Sequence, residues 1–327
     1  MKKQLNLHKL FVTLALLLTA TWSFATGGDD SEKKKTYSKS YPLSASEKIS
    51  ISNMFGEVKI ATWDKMEVKV EVTVTVHAAS DEKAQSILDG ISIEDGKNEE
   101  GVFFKTKMPQ GDHDRVHKEG DKDDKDKQKD KGDKKNSSGM DVNYVVMMPA
   151  ASPLKLTNQF GKSIVPDLSG PVDILEKFGD LSAGNLSNAK TVQVEFGSAS
   201  IESIANCKLV IKFSKASIKK MTGSIKSNFE FCDKITLPLN NSITEFTLNN
   251  SYSTIDLSVT NDFSGDFQIH TNFGKFNNKS ALVIKEDKED KDDDDHGPRF
   301  DKDFSGKSGS GACKVRMKSS FGNIRLI

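Results

Sequence analysis

The 327-residue sequence has only three cysteines, no net formal charge and a single long apolar run. Each scarcity excludes something. Cys207, Cys232 and Cys313 are odd in number, so in an exported chain at least one thiol stays unpaired. No histidine lies at ligand spacing from any of them. Lys plus Arg and Asp plus Glu both count 47, a balance that favours neither nucleic acid nor an anionic membrane as partner. Phosphate-binding loops, Ser/His/Asp sets and zinc motifs are missing, so no catalytic or cofactor signature stands out.

The apolar run lies at the start. Lys2, Lys3 and Lys9 give a positive head, residues 10–20 are almost wholly apolar, and Ser23 and Ala25 place small residues before Thr26. Residues 1–25 therefore read as a secretory signal peptide. The run is shorter than the ~20 residues a membrane span needs, and no later stretch supplies a span. Removing the leader leaves 44 basic against 47 acidic side chains. The expected location is outside the cytoplasm, in the periplasm or at the cell surface.

What the sequence does have is a returning Phe-Gly dipeptide. It stands at Phe55-Gly56, Phe160-Gly161, Phe178-Gly179, Phe196-Gly197, Phe273-Gly274 and Phe321-Gly322, with looser copies at Phe213-Ser214, Phe229-Glu230 and Tyr252-Ser253. In the middle the aromatics are 18, 18, 17 and 16 residues apart. A period near 20 residues is that of a solenoid, in which each repeat buries its apolar face only by stacking on the next.

Four residues before each aromatic stands an apolar residue in all nine copies, among them Ile51, Leu156, Ile174, Val192 and Leu209. Apolar residues recur three and five places after it, as at Val58/Ile60 and Ala199/Ile201. Steps of two are strand periodicity. The odd step across the aromatic places a corner there, with glycine as the residue that tolerates positive φ. Leu186/Ala189 and Ile204/Cys207 form a further apolar set that closes the coil. The expected fold is an all-β, single-stranded parallel β-helix of about 18-residue turns. In it Phe55, Phe160, Phe178, Phe196, Phe213, Phe229, Tyr252, Phe273 and Phe321 form an internal structural ladder. Phe196 is expected to be buried between Phe178 and Phe213. Cys207 and Cys232 read as small core residues at positions where neighbouring repeats carry Ala. The position two before the aromatic is mixed, from Asn53 and Glu176 to Val194, and is assigned to a corner.

Two segments break the repeat. The insertion 66–149 opens with alternating Val68, Val70, Val72, Val74 and Val76, a half-buried strand. A helix with Ser80 as N-cap follows, then strands at Val102–Thr106 and Val142–Met148. Within it a charged loop, 112–139, holds nine acids and nine bases from Asp112 to Lys135. A second charged loop, 285–310, holds ten acids against five bases between Lys285 and Asp303. Neither composition can bury a core. Residues 26–45 read as a linker, and 46–327 as one domain.

Candidate sites are thin. His113 and His117 have a metal-binding spacing only on a helix that the tract gives no reason to form. Asp292 to Asp295 lack the ligand spacing of a calcium loop. Glu176, Asp180, Glu195 and Glu202 lie close in repeat phase, the arrangement a carbohydrate-active enzyme needs and also that of an ordinary solvated face. The expectation is no enzyme, no metal and no cofactor.

Ile49-Ser-Ile-Ser-Asn-Met-Phe55-Gly56-Glu-Val-Lys-Ile60, the strand Val142–Pro149 and the recurrent Phe-Gly turns together resemble the bacterial envelope family known as the "putative adhesin" domain. The resemblance covers about Ser46 to Ile327. It implies a secreted short-turn β-solenoid with a helix and strands inserted after the first turn. It also implies a non-enzymatic adhesin-like or scaffold role toward an unidentified envelope protein or polysaccharide. The long Lys/Asp tracts depart from that pattern. The rival is a carbohydrate-active or polysaccharide-binding β-helix.

Overall fold

The computed structural model describes residues 31–108, 139–287 and 300–327. The expected signal peptide, most of the first charged loop and Asp292–Asp295 lie outside them. The described chain is all-β with one helix.

The N-terminal part contains β1 (Ser31–Pro42), β2 (Lys48–Thr62), β3 (Glu67–Ala78), α1 (Asp81–Gly90), β4 (Ser92–Asn98), β5 (Gly101–Lys107) and β6 (Gly139–Met148). The helix starts where Ser80 Oγ accepts from the Lys83 amide, and it buries Ala84 and Leu88. Next come β7 (Leu154–Val165), β8 (Val172–Lys177), β9 (Asp180–Leu186), β10 (Ala189–Glu195), β11 (Ser198–Ala205), β12 (Lys208–Lys212), β13 (Lys215–Glu230), β14 (Lys234–Leu239), β15 (Ile243–Ser251), β16 (Thr254–Val259), β17 (Gly265–Asn272) and β18 (Lys275–Asn278). Last are β19 (Ile284–Glu286), β20 (Asp301–Lys307), β21 (Cys313–Ser320) and β22 (Asn323–Leu326).

The pairings resolve into two ladders with one core between them. On the first, β2, β7, β8, β10, β12, the second half of β13, β15, β21 and β17 pair in parallel. On the second, β2, β7, β9, β11, the first half of β13, β14, β16, β22 and β18 do the same. The chain crosses from the first ladder to the second at each aromatic and returns at a second corner, where Asn206 (φ 54°) and Gly223 (φ 70°) take the left-handed conformation. Inward positions of both ladders, such as Ile51, Leu156, Val192, Leu181 and Ile201, are buried in one cluster. Val, Ile and Leu at period two account for most of the strands on both ladders.

Three expectations need correction. Residues 31–42, read as part of a linker, form β1, which pairs antiparallel with β3 along its whole length. Its alternation was masked because its half-buried face carries Ser31, Lys33 and Lys35 ahead of Tyr37 and Tyr41. Residues 301–307, read as part of a charged loop, form β20, which pairs antiparallel with β17. Charge does not prevent an edge strand from using its backbone groups. Finally, the strands do not stack in the chain order in which the ladder of aromatics was read. β21 and β22 lie between β15/β16 on one side and β17/β18 on the other. The outermost rung is the earlier segment β17–β18, covered on one ladder by β20 and β19.

Candidate functional site

Along one edge of the molecule runs an unbroken stack of ten aromatic rings. In spatial order they are Phe55, Phe160, Phe178, Phe196, Phe213, Phe231, Tyr252, Phe321, Phe273 and Phe300. Neighbouring centroids are 4.3–5.2 Å apart and ring planes differ by 1–17°. At about 4.8 Å per rung the stack is roughly 40 Å long.

The rings point outward. Phe196 is 47% exposed, where burial was expected, and every ring of the stack except Phe55 lies between 44% and 51%. The backbone explains the reversal. Phe55, Phe160, Phe178, Phe196, Phe213, Phe231, Tyr252, Phe273 and Phe321 all have φ between 50° and 65°. A strand's period of two, carried forward from the buried residues at −4 and −2, would turn the aromatic inward. A left-handed residue at the corner turns it out instead.

Phe229 does not belong to the stack. Its register partners are Ile211 and Asn250, both inward residues, and it is fully buried. Phe231 takes the corner, with centroids 4.9 Å from Phe213 and 4.6 Å from Tyr252. The sequence signal missed was a second aromatic one strand period after the first.

Gly56 takes positive φ (120°), but the other glycines of the Phe-Gly pairs serve close approach and not, as expected, the left-handed turn. A Cβ on Gly161, Gly179 or Gly197 would stand 1.8–1.9 Å from the carbonyl oxygen of the glycine one turn before. Ser214, Cys232 and Ser253 follow their aromatics at this same place. Ser214 Oγ accepts from the Gly197 amide at 3.0 Å, and Ser253 Oγ accepts from the Cys232 amide at 2.8 Å. Cys232 therefore sits in the glycine column and not beside Ala199 and Ala216. All three cysteines are free and buried, and burial pushes the Cys207 thiol up to about 12 and the Cys313 thiol to about 11. Thiols so placed are poor nucleophiles at neutral pH.

The column two residues before the corner aromatic also points inward, contrary to its assignment to a corner. Asn53, Asn158, Glu176, Val194, Ile211, Phe229, Asn250, Thr271 and Ser319 are all buried there. Polar members are joined to neighbours. Asn53 donates to the Val142 carbonyl, Asn250 donates to Ser319 Oγ, and Glu176 accepts from Asn158 Nδ2 at 3.3 Å and Ser163 Oγ at 2.5 Å. Burial, opposed by those two hydrogen bonds, pushes the Glu176 carboxyl up to about 8.

The four carboxylates grouped by repeat phase do not converge. Glu176 points into the core, while Asp180 accepts from Ser198 on the second ladder. Glu195 pairs with Lys177 at 2.9 Å, and Glu202 pairs with Lys219 at 2.6 Å. Beside the ring stack, Lys177, Glu195, Lys212 and Glu230 alternate in charge on successive rungs. His270 faces Asp303 at 2.9 Å, and His113, His117 and His296 lie outside the described residues. Among the described residues no group of three or more His, Cys, Asp or Glu is placed to hold a metal ion, and no helix is long and apolar enough to cross a membrane.

No family model matches the sequence, and no curated protein matches it. Solved structures that it resembles include a putative adhesin from Bacteroides fragilis NCTC 9343, at 9% identity over 90% of this chain and 97% of that one, with a TM-score of 0.39. A putative cell adhesion protein from Clostridium sporogenes ATCC 15579 shares 10% identity over 90% and 99%, with a TM-score of 0.25. A putative lipid binding protein from Parabacteroides distasonis ATCC 8503 shares 9% over 89% and 96%, with a TM-score of 0.31. At these scores the likeness carries no argument about ligand or mechanism.

Proposed function

We propose that the chain is an exported, non-enzymatic, adhesin-like module of a bacterial envelope, a flattened single-chain solenoid whose contact surface is the aromatic ridge. The observation that carries this reading is the ridge's exposure. About half of each of nine rings is open to solvent, which amounts to something on the order of 900 Å² of contiguous apolar surface at ~200 Å² per aromatic side chain. The largest such patch on an ordinary monomer is about 300–600 Å², and patches of that size or more are commonly interaction sites.

Stability alone does not account for the ridge. The left-handed conformation costs a residue with a Cβ about 1–2 kcal/mol, and an aromatic pair returns about 0.5–1.5 kcal/mol. The two nearly cancel. At the opposite corner the same backbone problem is met by Asn206 and Gly223, which take positive φ at less cost. Aromatics at every rung of one corner point to display.

The polysaccharide-platform alternative fits less well. Sugar rings stack on aromatic faces, and inside the stack both faces of each ring are covered by its neighbours. What faces solvent is a row of ring edges. The test is a variant of the mature chain in which Phe178, Phe196, Phe213 and Phe231 are all changed to Asn. Retention on isolated envelope fractions should fall at least tenfold while the circular dichroism spectrum stays unchanged. Undiminished retention would remove the ridge from the binding surface.

A further inference from the structure

The ridge has a partner that fits it in period, charge and area, and that partner is a second copy of this chain. We propose that two ridges pack antiparallel about a two-fold axis lying between Phe196 and Phe213. The proposal rests on the ridge being a contact surface and names what it contacts.

Period comes first. Seven steps from Phe55 to Phe321 repeat at 4.6–5.2 Å. An α-helix, with a pitch of 5.4 Å, would drift by about 4 Å over those steps. A parallel β-ladder has the same ~4.8 Å spacing, so it stays in step along the whole contact. Rings at that spacing leave no slot for an inserted ring, so the ridges meet edge to edge.

Charge fixes direction and register. A two-fold with antiparallel ridges sets the column before the rings against itself in reverse order. With the axis between Phe196 and Phe213, Lys177 faces Glu230 of the second copy and Glu195 faces Lys212. Farther out, Gln159 faces Ser251, and Met54 faces Ser320. On the other flank the ladder register places Asp180, Ser198, Lys215 and Lys234 on successive rungs. The same axis sets Asp180 against Lys234 and Ser198 against Lys215. No like charges meet in either column. Shifting the axis one rung toward the C-terminal end would set Lys215 against Lys234. Rim charges of this kind select register more than they add affinity.

Area closes the argument. Eight overlapping rings contribute roughly 750 Å² per copy, so about 1,500 Å² in total, within the range of a standard specific interface at about 1,200–2,000 Å². Phe273 and Phe300 remain outside the overlap.

Sedimentation equilibrium of the mature chain, run from about 1 to 100 µM so that even the micromolar limit of such an interface populates the dimer, reads the association directly. A dimer is expected. Phe196→Asn with Phe213→Asn should weaken it at least 100-fold, since these rings sit at the centre. Glu230→Lys should weaken it about tenfold, and adding Lys177→Glu should restore it; both leave every ring in place. A wild-type monomer at all concentrations, or a dimer that the Asn variant leaves intact, would overturn the proposal. Failure of Lys177→Glu to restore association would overturn the axis. A monomer whose quadruple Asn variant still loses envelope retention would sink the two-fold and leave the contact surface standing. Loss of neither property would sink both.

Discussion

Phe229 and Phe231 are two residues apart and live in different worlds. Phe229 is fully enclosed between Ile211 and Asn250 in the inward column, and Phe231 stands 46% exposed in the outer stack. Composition does not separate them, and neither does strand period. What separates them is one backbone angle, φ 52° at Phe231, which turns its side chain out of the core. The inward column is governed by cavity and burial energies, and the ridge by a near-balance of strain and stacking.

The comparison can be broken hardest at Phe229. Phe229→Ala should cost about 3–5 kcal/mol, because it opens a cavity that the stacked rungs cannot collapse into. Denaturant unfolding measures it, and a loss near that of a surface substitution would mean the register around β13 is misplaced.

The polar end of the same column offers a pH test. Glu176 titrates at about 8 in the fold and near 4.5 when unfolded. Its folded pKa is the raised one, so its contribution is fully present below pH 4.5 and is lost as pH rises through about 8. Within that window the slope is up to about 1.4 kcal/mol per pH unit. Thermal unfolding of the wild type should therefore weaken between pH 5 and pH 8 by a few kcal/mol relative to Glu176→Gln, which has no proton to lose. Parallel curves for the two proteins would place the carboxylate in contact with water.

The smallest effect is expected on the ridge. Phe196→Asn gives up two stacking contacts, worth about 0.5–1.5 kcal/mol each, and recovers much of the left-handed strain. Its stability should lie within about 1 kcal/mol of wild type by the same unfolding assay. A loss of several kcal/mol would make the stack a structural spine and not a display.

Strand periodicity made β3, β5, β6 and the inward positions at −4 readable, because each is a local alternation of apolar and polar residues. The N-cap at Ser80 was readable because a Ser ahead of the acidic pair Asp81 and Glu82 is an equally local signal. The aromatic period was readable too, but its direction was not. That depends on a dihedral angle, and Phe is a residue that seldom takes positive φ. The direction of Phe229 was lost because a second aromatic stands two residues on; the 18-residue step from Phe213 falls on Phe231, and the 16-residue step to Phe229 is the irregular one. β1 and β20 were hidden by their lysines and aspartates. The position of β21 and β22 was beyond reach, since nothing in a repeat says in which spatial order its copies stack.

That last feature bears on when the molecule becomes whole. β15 and β17 are not paired with each other; β21 stands between them, and β22 does the same for β16 and β18. Arg325 on β22 grips Asp256 on β16 with two hydrogen bonds, at 2.5 and 2.8 Å, and Lys234 joins them at 3.1 Å. Burial pushes the Asp256 carboxyl up, yet these two cations outweigh it and hold it below the usual carboxylate range. The keystone rung thus comes later in the chain than the outermost rung that docks on it. A chain cut just before Cys313 has nowhere to seat β17 and β18 in parallel. During synthesis the outermost rung emerges before its own seat, so that end of the molecule stays open until residues 313–326 have been added.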